Sequence, residues 1–247
     1  MTFDDIHHYD DTAGYATPSP VERHASQETP LEKLIRHIGE FGVAFLRTFL
    51  LAAIFTPVLL ASFLTVDLPV HVFDRFFNTP VLKPGAWLVW GNVAMALGPM
   101  LAVLIARRYG GDEASRVITA SWGIAAIAAF AEISYLAPTL VDGDFPSPKF
   151  VVVFVVSAML AQYVAAGAYD VTRGGGGWWR APLYSVMSGY AVGALVYFPA
   201  IYWGAGAPWP NWLVGDLSVK LLMAFAFLPI YALLRRSLRP RGGFGGM

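Results

Sequence analysis

Two charged residues lie inside the last apolar segment of the chain, where their spacing allows them to interact. Asp216 and Lys220 fall within residues 211–234, NWLVGDLSVKLLMAFAFLPIYALL. Because residues four apart lie on one face of a helix, the two side chains can form a pair. A charged residue in a membrane span costs about 2.5–3.5 kcal/mol on insertion scales, and such groups typically pair or face a cavity. The pair therefore indicates either a solute or ion pathway, or a structural ion pair that fixes this helix against its neighbours.

Three further polar residues fall within apolar segments, and each can serve in binding or in packing. Asn92, Glu132 and Gln162 come from three different apolar segments. With Asp216 and Lys220, these side chains can bind the edges of a planar solute that donates and accepts hydrogen bonds, while aromatic rings stack on its faces. Alternatively, Asn92 and Gln162 join neighbouring helices by hydrogen bonds. Glu132, near the outer end of its segment, can simply be solvated.

The composition is typical of an integral membrane protein. Apolar residues make up 56% of the chain and charged residues only 14%, whereas soluble domains carry about 25% charged residues. The formal net charge is zero, so the composition shows no electrostatic footprint of a nucleic-acid partner. It contains no cysteine, which excludes disulfides, thiolate catalysis and cysteine-based metal sites.

The chain carries no catalytic motif. It has neither a GxSxG nucleophile turn nor a GxxxxGK[ST] phosphate loop, and its histidines form no HExxH pattern. Four consecutive glycines, 174–177, lack the Lys-Ser/Thr that would hold phosphate. They are predicted to form a flexible linker. We therefore expect no enzymatic activity, no metal and no cofactor.

The apolar segments predict an all-α polytopic membrane protein, a bundle of six transmembrane helices, because each segment is long enough to cross a bilayer. The predicted spans are 41–66, 85–106, 117–137, 150–169, 182–203 and 211–234. The corresponding domain organisation is a disordered cytoplasmic tail (1–28), an interfacial helix that begins at Thr29-Pro30 (29–40), the six-helix transmembrane domain (41–237) and a basic, glycine-rich tail (238–247).

Small residues of the fifth predicted span predict close packing against a neighbouring helix. Ser185, Ser188, Gly189 and Gly193 recur at helical spacing. Gly189 and Gly193 form a GxxxG pattern, which lets two helix backbones approach each other.

The distribution of basic residues predicts the orientation. Lys and Arg are enriched in cytoplasmic loops. They precede the first span, follow the second and fourth spans and follow the last one, whereas the opposite side holds only Arg75, Lys83 and Lys149. This pattern predicts that both termini are cytoplasmic, as an even number of spans requires.

Three stretches resemble the queuosine precursor transporters, the VUT family of bacterial inner-membrane proteins. The stretches are VLIARRYGGDEASR (103–116), WWRAPLYSVMSGY (178–190) and GDLSVKLLMAFAFLPIYALL (215–234). The resemblance implies six helices in the bacterial inner membrane and uptake of a 7-deazaguanine precursor such as preQ0 or preQ1. By position, the resemblance implies four candidate substrate-binding residues, which are Gln162, Ser185, Asp216 and Lys220.

Several polar residues of the family pattern are replaced in this chain, for example by Val103, Arg107 and Val192. Either the site is rebuilt around Asn92, Glu132 and Asp216, or the solute differs, or transport is lost. The leading hypothesis is uptake of a small planar solute across the lipid bilayer. The alternatives are a non-transporting scaffold or subunit of a larger membrane complex, or the substrate-binding membrane subunit of a multi-chain vitamin importer. Assembly into a homo-oligomer is compatible with each hypothesis.

Overall fold

The computed structural model describes residues 29–136 and 147–240, and within them the secondary structure is helical, without strands. The predicted tail 1–28 and residues 241–247 of the predicted C-terminal tail lie outside the described residues. The helices of the described part are α1 (Pro30–Leu64), α2 (Trp90–Met95), α3 (Leu97–Tyr109), α4 (Gly111–Leu136), α5 (Pro148–Thr172), α6 (Arg180–Tyr202) and α7 (Trp209–Leu234).

Six helical segments of the described part are long and apolar enough to cross a membrane, which confirms the predicted number of spans. Helices α2 and α3 together form the second of these segments, Trp90–Tyr109, and each of the other helices forms one. The last three segments begin and end within three residues of their predicted limits. The chain is therefore an all-α, multi-pass membrane protein.

Helix α1 begins where the sequence predicts. The Thr29 amide donates to Glu32 Oε2 at 2.8 Å, and the Glu32 amide donates to Thr29 Oγ1 at 3.3 Å. This reciprocal pair is a capping box, which satisfies two backbone donors at the start of the helix. The predicted interfacial helix 29–40 is not a separate element, because α1 continues without a break to Leu64. The polar residues up to Glu40 lower the hydropathy of this part of the helix, but none of them ends it.

Contacts between Cα atoms divide the chain into two units, 1–45 and 46–247. In the described part of the first unit, the large apolar side chains of α1 are exposed, as those of Leu31, Ile35 and Ile38 show. In the second unit, α1 buries Ala52, Phe55, Thr56, Leu59 and Ser62. Their spacing places them on one face of the helix.

The second transmembrane segment begins later than predicted, at Trp90 rather than at residue 85. Residues 80–86 form two short 3₁₀ turns, and a proline occupies the first position of each turn. The amides of Val70 and Trp90 then bond the carbonyls of Leu88 and Leu68 at 2.9 and 2.8 Å. These bonds hold the backbone before Trp90 extended, which hydropathy alone does not reveal.

A break at Ala96 separates α2 from α3. Pro99 lies three residues further on and lacks the amide that would bond the Met95 carbonyl in a continuous helix. The Ala96 carbonyl accepts a hydrogen bond from the Tyr190 hydroxyl of α6 at 2.6 Å. A side chain from another helix thus stabilises the backbone at the break.

Gly110 forms the turn between α3 and α4, with φ at 92°. That positive φ favours glycine, because other residues clash with their own backbone there. Helix α4 begins at Gly111, six residues before the predicted span at 117. The first turn contains Asp112 and Glu113, which lower the hydropathy of the segment. Acidic side chains nevertheless stabilise the first turn of a helix.

Helices α5 and α6 pack closely, as the GxxxG pattern predicts. A methyl group in place of the hydrogen at Gly189 would clash with the Ala161 carbonyl oxygen, and one at Gly193 would lie 3.0 Å from the Ala161 methyl group. The two glycines therefore allow α6 to approach the backbone of α5. The same two helices carry much of the candidate site.

Candidate solute site

Asp216 and Lys220 form the pair that their spacing predicts. Lys220 Nζ donates to Asp216 Oδ2 at 2.6 Å. The Asp216 side chain is 1% exposed and the Lys220 side chain 18% exposed. Both charges are thus withdrawn from the surface of α7, and each compensates the other.

The pair retains binding capacity after this bond has formed. Asp216 Oδ1 is buried and has no hydrogen-bond partner in the described part of the chain. A buried carboxylate oxygen without a donor is unfavourable, and such groups are normally satisfied by protein, water or a ligand. The Lys220 ammonium has three N–H donors, and Asp216 accepts one of them. The pair can therefore accept one hydrogen bond and donate others to a third group.

A cavity of about 40 Å³ lies beside the pair. Asn92 of α2, Ser157 of α5 and Lys220 of α7 contribute polar side chains to its lining, and Tyr190 and Tyr197 of α6 contribute aromatic ones. A cavity of this volume holds a water molecule. Sites for small molecules typically measure about 300–1,000 Å³. The cavity is therefore too small for such a molecule, and a solute requires the helices around it to separate.

Tyr190 connects the pair to the break in the second transmembrane segment. Lys220 Nζ lies 6.0 Å from the centre of the Tyr190 ring, which is at the outer limit of a cation–π contact. The hydroxyl of the same tyrosine donates to the Ala96 carbonyl between α2 and α3. A displacement of Tyr190 therefore affects both the charged pair and the break.

Asn92 is the second predicted residue that lines this cavity. Its side-chain amide makes no hydrogen bond with another described residue, whereas its backbone carbonyl accepts the Ala96 amide at 3.1 Å. The amide can thus both donate to a bound molecule and accept from it. The structure brings Asn92, Asp216 and Lys220 to one place.

Gln162 is fully buried, but its side chain bonds to residues of other helices and does not line the cavity. Its Oε1 accepts from Trp122 Nε1 of α4 at 2.8 Å, and its Nε2 lies 3.7 Å from Met95 Sδ of α2. A methyl group at Gly98 would lie 2.6 Å from the same Nε2. Gln162 thus links three helices and is absent from the lining of the cavity, although its neighbour Met95 belongs to it.

The two remaining predicted residues lie apart from the cavity lining. Ser185 is buried, and its hydroxyl donates to the Ala181 carbonyl within α6 at 2.6 Å. Such a bond within one helix satisfies the hydroxyl without a ligand. Glu132 is exposed on α4. The structure therefore brings together three of the six predicted residues and leaves Gln162, Ser185 and Glu132 outside that group.

The sequence reasoning missed Tyr190 and Tyr197 as residues of the site. Together with Gly193 and Ala194 they occupy one face of α6, at spacings of three, four and seven residues. Two aromatic residues that flank two small ones on a single helical face indicate a recess between rings. That pattern is present in the sequence, but the many other aromatic residues of the spans obscure it.

Within residues 29–136 and 147–240, no group of three or more His, Cys, Asp or Glu side chains can hold a metal ion. Comparison of the chain with protein-family models, with curated proteins and with solved structures finds no match in any of the three.

Proposed function

We propose that this protein is a transporter that takes up a small planar solute, a 7-deazaguanine precursor such as preQ0 or preQ1. The observation that carries the proposal is that Lys220 and Asn92 line one cavity between helices, while Asp216 is paired with Lys220 beside it. Paired ionisable residues that face a cavity inside a membrane protein are typical of substrate and ion pathways. We further propose that the protein lies in a bacterial inner membrane with both termini in the cytoplasm.

The chemistry of the site suits this class of solute. A guanine-type ring presents a carbonyl acceptor and an amino donor. Asp216 Oδ1, which lacks a donor in the described part of the chain, can accept from the ring N–H groups. Lys220 and Asn92 can donate to the carbonyl. The rings of Tyr190 and Tyr197 provide faces on which a flat heterocycle stacks.

Helix gating is the mechanism that the small volume of the cavity implies. Tyr190 and the break at Ala96 lie where α6 meets the second transmembrane segment. Interrupted helices near binding sites are common in secondary transporters, where one group of helices moves against another. Opening at Ala96 would widen the cavity on one side and expose the charged pair to a solute.

The test is uptake of labelled preQ0 and preQ1 into cells that lack their own synthesis and transport of these compounds. We expect uptake with the intact chain, at least about tenfold less with Asn92→Ala, and none without the chain. Ser218→Ala is a matched control, because Ser218 is exposed on α7 and its hydroxyl bonds the Val214 carbonyl of the same helix. Equal uptake with and without the chain would refute the proposal for these solutes.

Two observations favour a second candidate function, a non-transporting subunit of a larger membrane complex. The cavity measures only about 40 Å³, and Gln162 and Ser185 already have partners within the protein. Purification in a mild detergent separates the alternatives. A defined set of co-purified membrane proteins without uptake supports the subunit, and a co-purified ATPase supports a multi-chain importer.

A further inference from the structure

A second cavity, of about 170 Å³, lies at the ends of α3, α5 and α7 and the beginning of α6. Its lining is mainly polar, in contrast to the apolar lining of the cavity beside Asp216. Three arginines, Arg107, Arg173 and Arg235, belong to this lining together with the hydroxyl-bearing residues Tyr169 and Tyr231. We call it the arginine cavity.

The arginine cavity carries an excess of positive charge. Arg173 Nη2 lies 3.3 Å from Asp170 Oδ1, so one of the three guanidinium groups has an acidic partner. The other two, Arg107 and Arg235, contact the rings of Tyr231 and Trp178 at 5.3 and 5.7 Å from their centres. No salt bridge from either one to a described residue is present. The local charge of these residues is therefore about two positive units.

Two buried nitrogen atoms of these arginines have no hydrogen-bond partner in the described part of the chain, Arg107 Nε and Arg173 Nη1. Buried donors without acceptors are rare in folded proteins and are normally satisfied by water or by a bound group. The two side chains line the same cavity. An anion that accepts hydrogen bonds from both guanidinium groups would satisfy them.

We propose that the arginine cavity binds a phosphate group. Guanidinium forks match the geometry of phosphate oxygens. A phosphate monoester carries about −1.5 to −2 charge at neutral pH, close to the positive excess of the cavity. Basic pockets between transmembrane helices also bind the phosphate of lipid head groups. The bound phosphate therefore belongs either to an anionic lipid or to a soluble phosphate compound.

The glycine run that the sequence predicts to be a linker forms one wall of this cavity through Gly175, Gly176 and Gly177. Gly176 has φ at 77°, a conformation that favours glycine. The run lacks the lysine of a phosphate-binding loop, but arginines of three other segments provide the positive charge. Glycines there leave the backbone accessible at the cavity wall.

Arg107 also has a structural role, so the proposal is best tested at the other two arginines. Its Nη1 donates to Tyr231 Oη at 2.9 Å, and its Nη2 donates to the Arg235 carbonyl at 3.0 Å. These bonds cap the end of α7. Replacing Arg107 would disturb that helix end whether or not a phosphate binds. The side chains of Arg173 and Arg235 can be changed without removing this cap.

The test has two arms on the full-length protein. In the first, inorganic phosphate is titrated against the protein in detergent at constant ionic strength, with chloride as reference, and the thermal unfolding midpoint is followed. In the second, native mass spectrometry measures how much phosphatidylglycerol, relative to phosphatidylcholine, remains bound after reconstitution in vesicles of both lipids. A response to inorganic phosphate indicates a soluble phosphate compound, and selective lipid retention indicates a head group.

We expect binding in at least one arm, weakened by about tenfold or more in Arg173→Gln and Arg235→Gln, since each loses a charge-assisted bond. Arg236→Gln is the matched control, because Arg236 carries the same charge on the next, exposed position. Arg235→Lys keeps the charge and is expected to give an intermediate affinity if Arg235→Gln folds poorly. Absence of binding in both arms, or equal weakening by Arg236→Gln, would overturn the proposal. Solute uptake is not a readout, so the test is independent of the proposed function.

Discussion

Glu113, in the first turn of α4, accepts a hydrogen bond from Arg47 Nε of α1 at 3.1 Å. Thr48 donates to the same carboxylate oxygen at 2.7 Å, and the Glu113 side chain is almost fully buried. The sequence gives no signal for this contact, because 66 positions separate Arg47 from Glu113. The structure shows instead that a buried carboxylate joins the first transmembrane helix to the third.

This contact predicts a loss of stability when the carboxylate is removed. Glu113→Ala leaves Arg47 without its partner, and we expect a decrease of about 1–3 kcal/mol in the free energy of unfolding. The matched control is Asp112→Ala, which removes an exposed carboxylate from the same turn. Unfolding followed by circular dichroism in detergent measures both. Equal stability of the two variants would show that the buried contact contributes nothing.

The close packing of α5 and α6 predicts a difference between two glycines. Gly189→Ala places a methyl group against the Ala161 carbonyl, and overpacking of this kind typically costs about 1–3 kcal/mol. Gly167→Ala on α5 is the control, because nothing lies within 4 Å of a methyl group there. We expect a lower thermal midpoint for Gly189→Ala alone. A Gly189→Ala variant as stable as Gly167→Ala would contradict the packing described here.

The loop between α1 and α2 contains a group whose protonation affects local order. The Gly85 amide donates to Asp74 Oδ1 at 2.8 Å, and His71 Nδ1 lies 2.8 Å from Asp74 Oδ2. The Gly85 amide first, and then His71, lower the pKa of Asp74 below its ordinary value of 3.8. A carboxylate whose pKa is lowered by folding stabilises the folded state at pH values above its ordinary pKa. This stabilisation is lost as the pH falls through the lowered pKa.

We therefore expect the protection of the Gly85 amide from hydrogen exchange to be constant from neutral pH down to about 4. Protection should then decrease at lower pH, after correction for the intrinsic exchange rate. Asp74→Asn should lose most of the protection already at neutral pH, whereas Asp67→Asn, at an exposed position of the same loop, should behave like the parent. Protection that does not differ between Asp74→Asn and the parent would rule out this role of the carboxylate.

The orientation proposed for the chain predicts opposite locations for two reporter fusions. A fusion after Ser237 should report the cytoplasm, and one within 142–148 should report the other side. Lys and Arg are enriched in cytoplasmic segments, and Ser237 lies in the arginine-rich segment that follows the last span. Paired phosphatase and fluorescent-protein reporters measure the two locations. The same location for both fusions would contradict the proposed orientation.

The six transmembrane helices were predictable because hydropathy and length are local properties of each segment. The limits of these helices were less predictable wherever charged residues belong to the helix, as Asp112 does in α4. The position of Trp90 as a helix start was missed because extended pairing with a distant stretch, rather than hydropathy, decides it.

The candidate site was predictable only where its residues interact within one helix. Asp216 and Lys220 are four positions apart, so their pairing follows from helical geometry. The partners of Gln162 lie 40 and 67 positions away, and the side chains of Arg47 and Thr48 that donate to Glu113 lie on another helix. A single sequence contains no signal for such contacts. The spacing of Tyr190 and Tyr197 does place both rings on one helical face, but the many other aromatic residues of the spans obscure this pattern.

The most direct test of the central claim is a double-mutant cycle of Asp216→Ala and Lys220→Ala, with stability and uptake of labelled preQ0 and preQ1 measured on each variant. Each single change leaves one charge buried and unpaired, which typically costs about 3–5 kcal/mol. The double variant leaves no unpaired charge, so its loss of stability should be smaller than the sum of the single losses. If the pair belongs to the solute pathway, the double variant recovers stability but not uptake. Recovery of both would show that the pair is only structural, and single variants as stable and active as the parent would contradict the account of this pair.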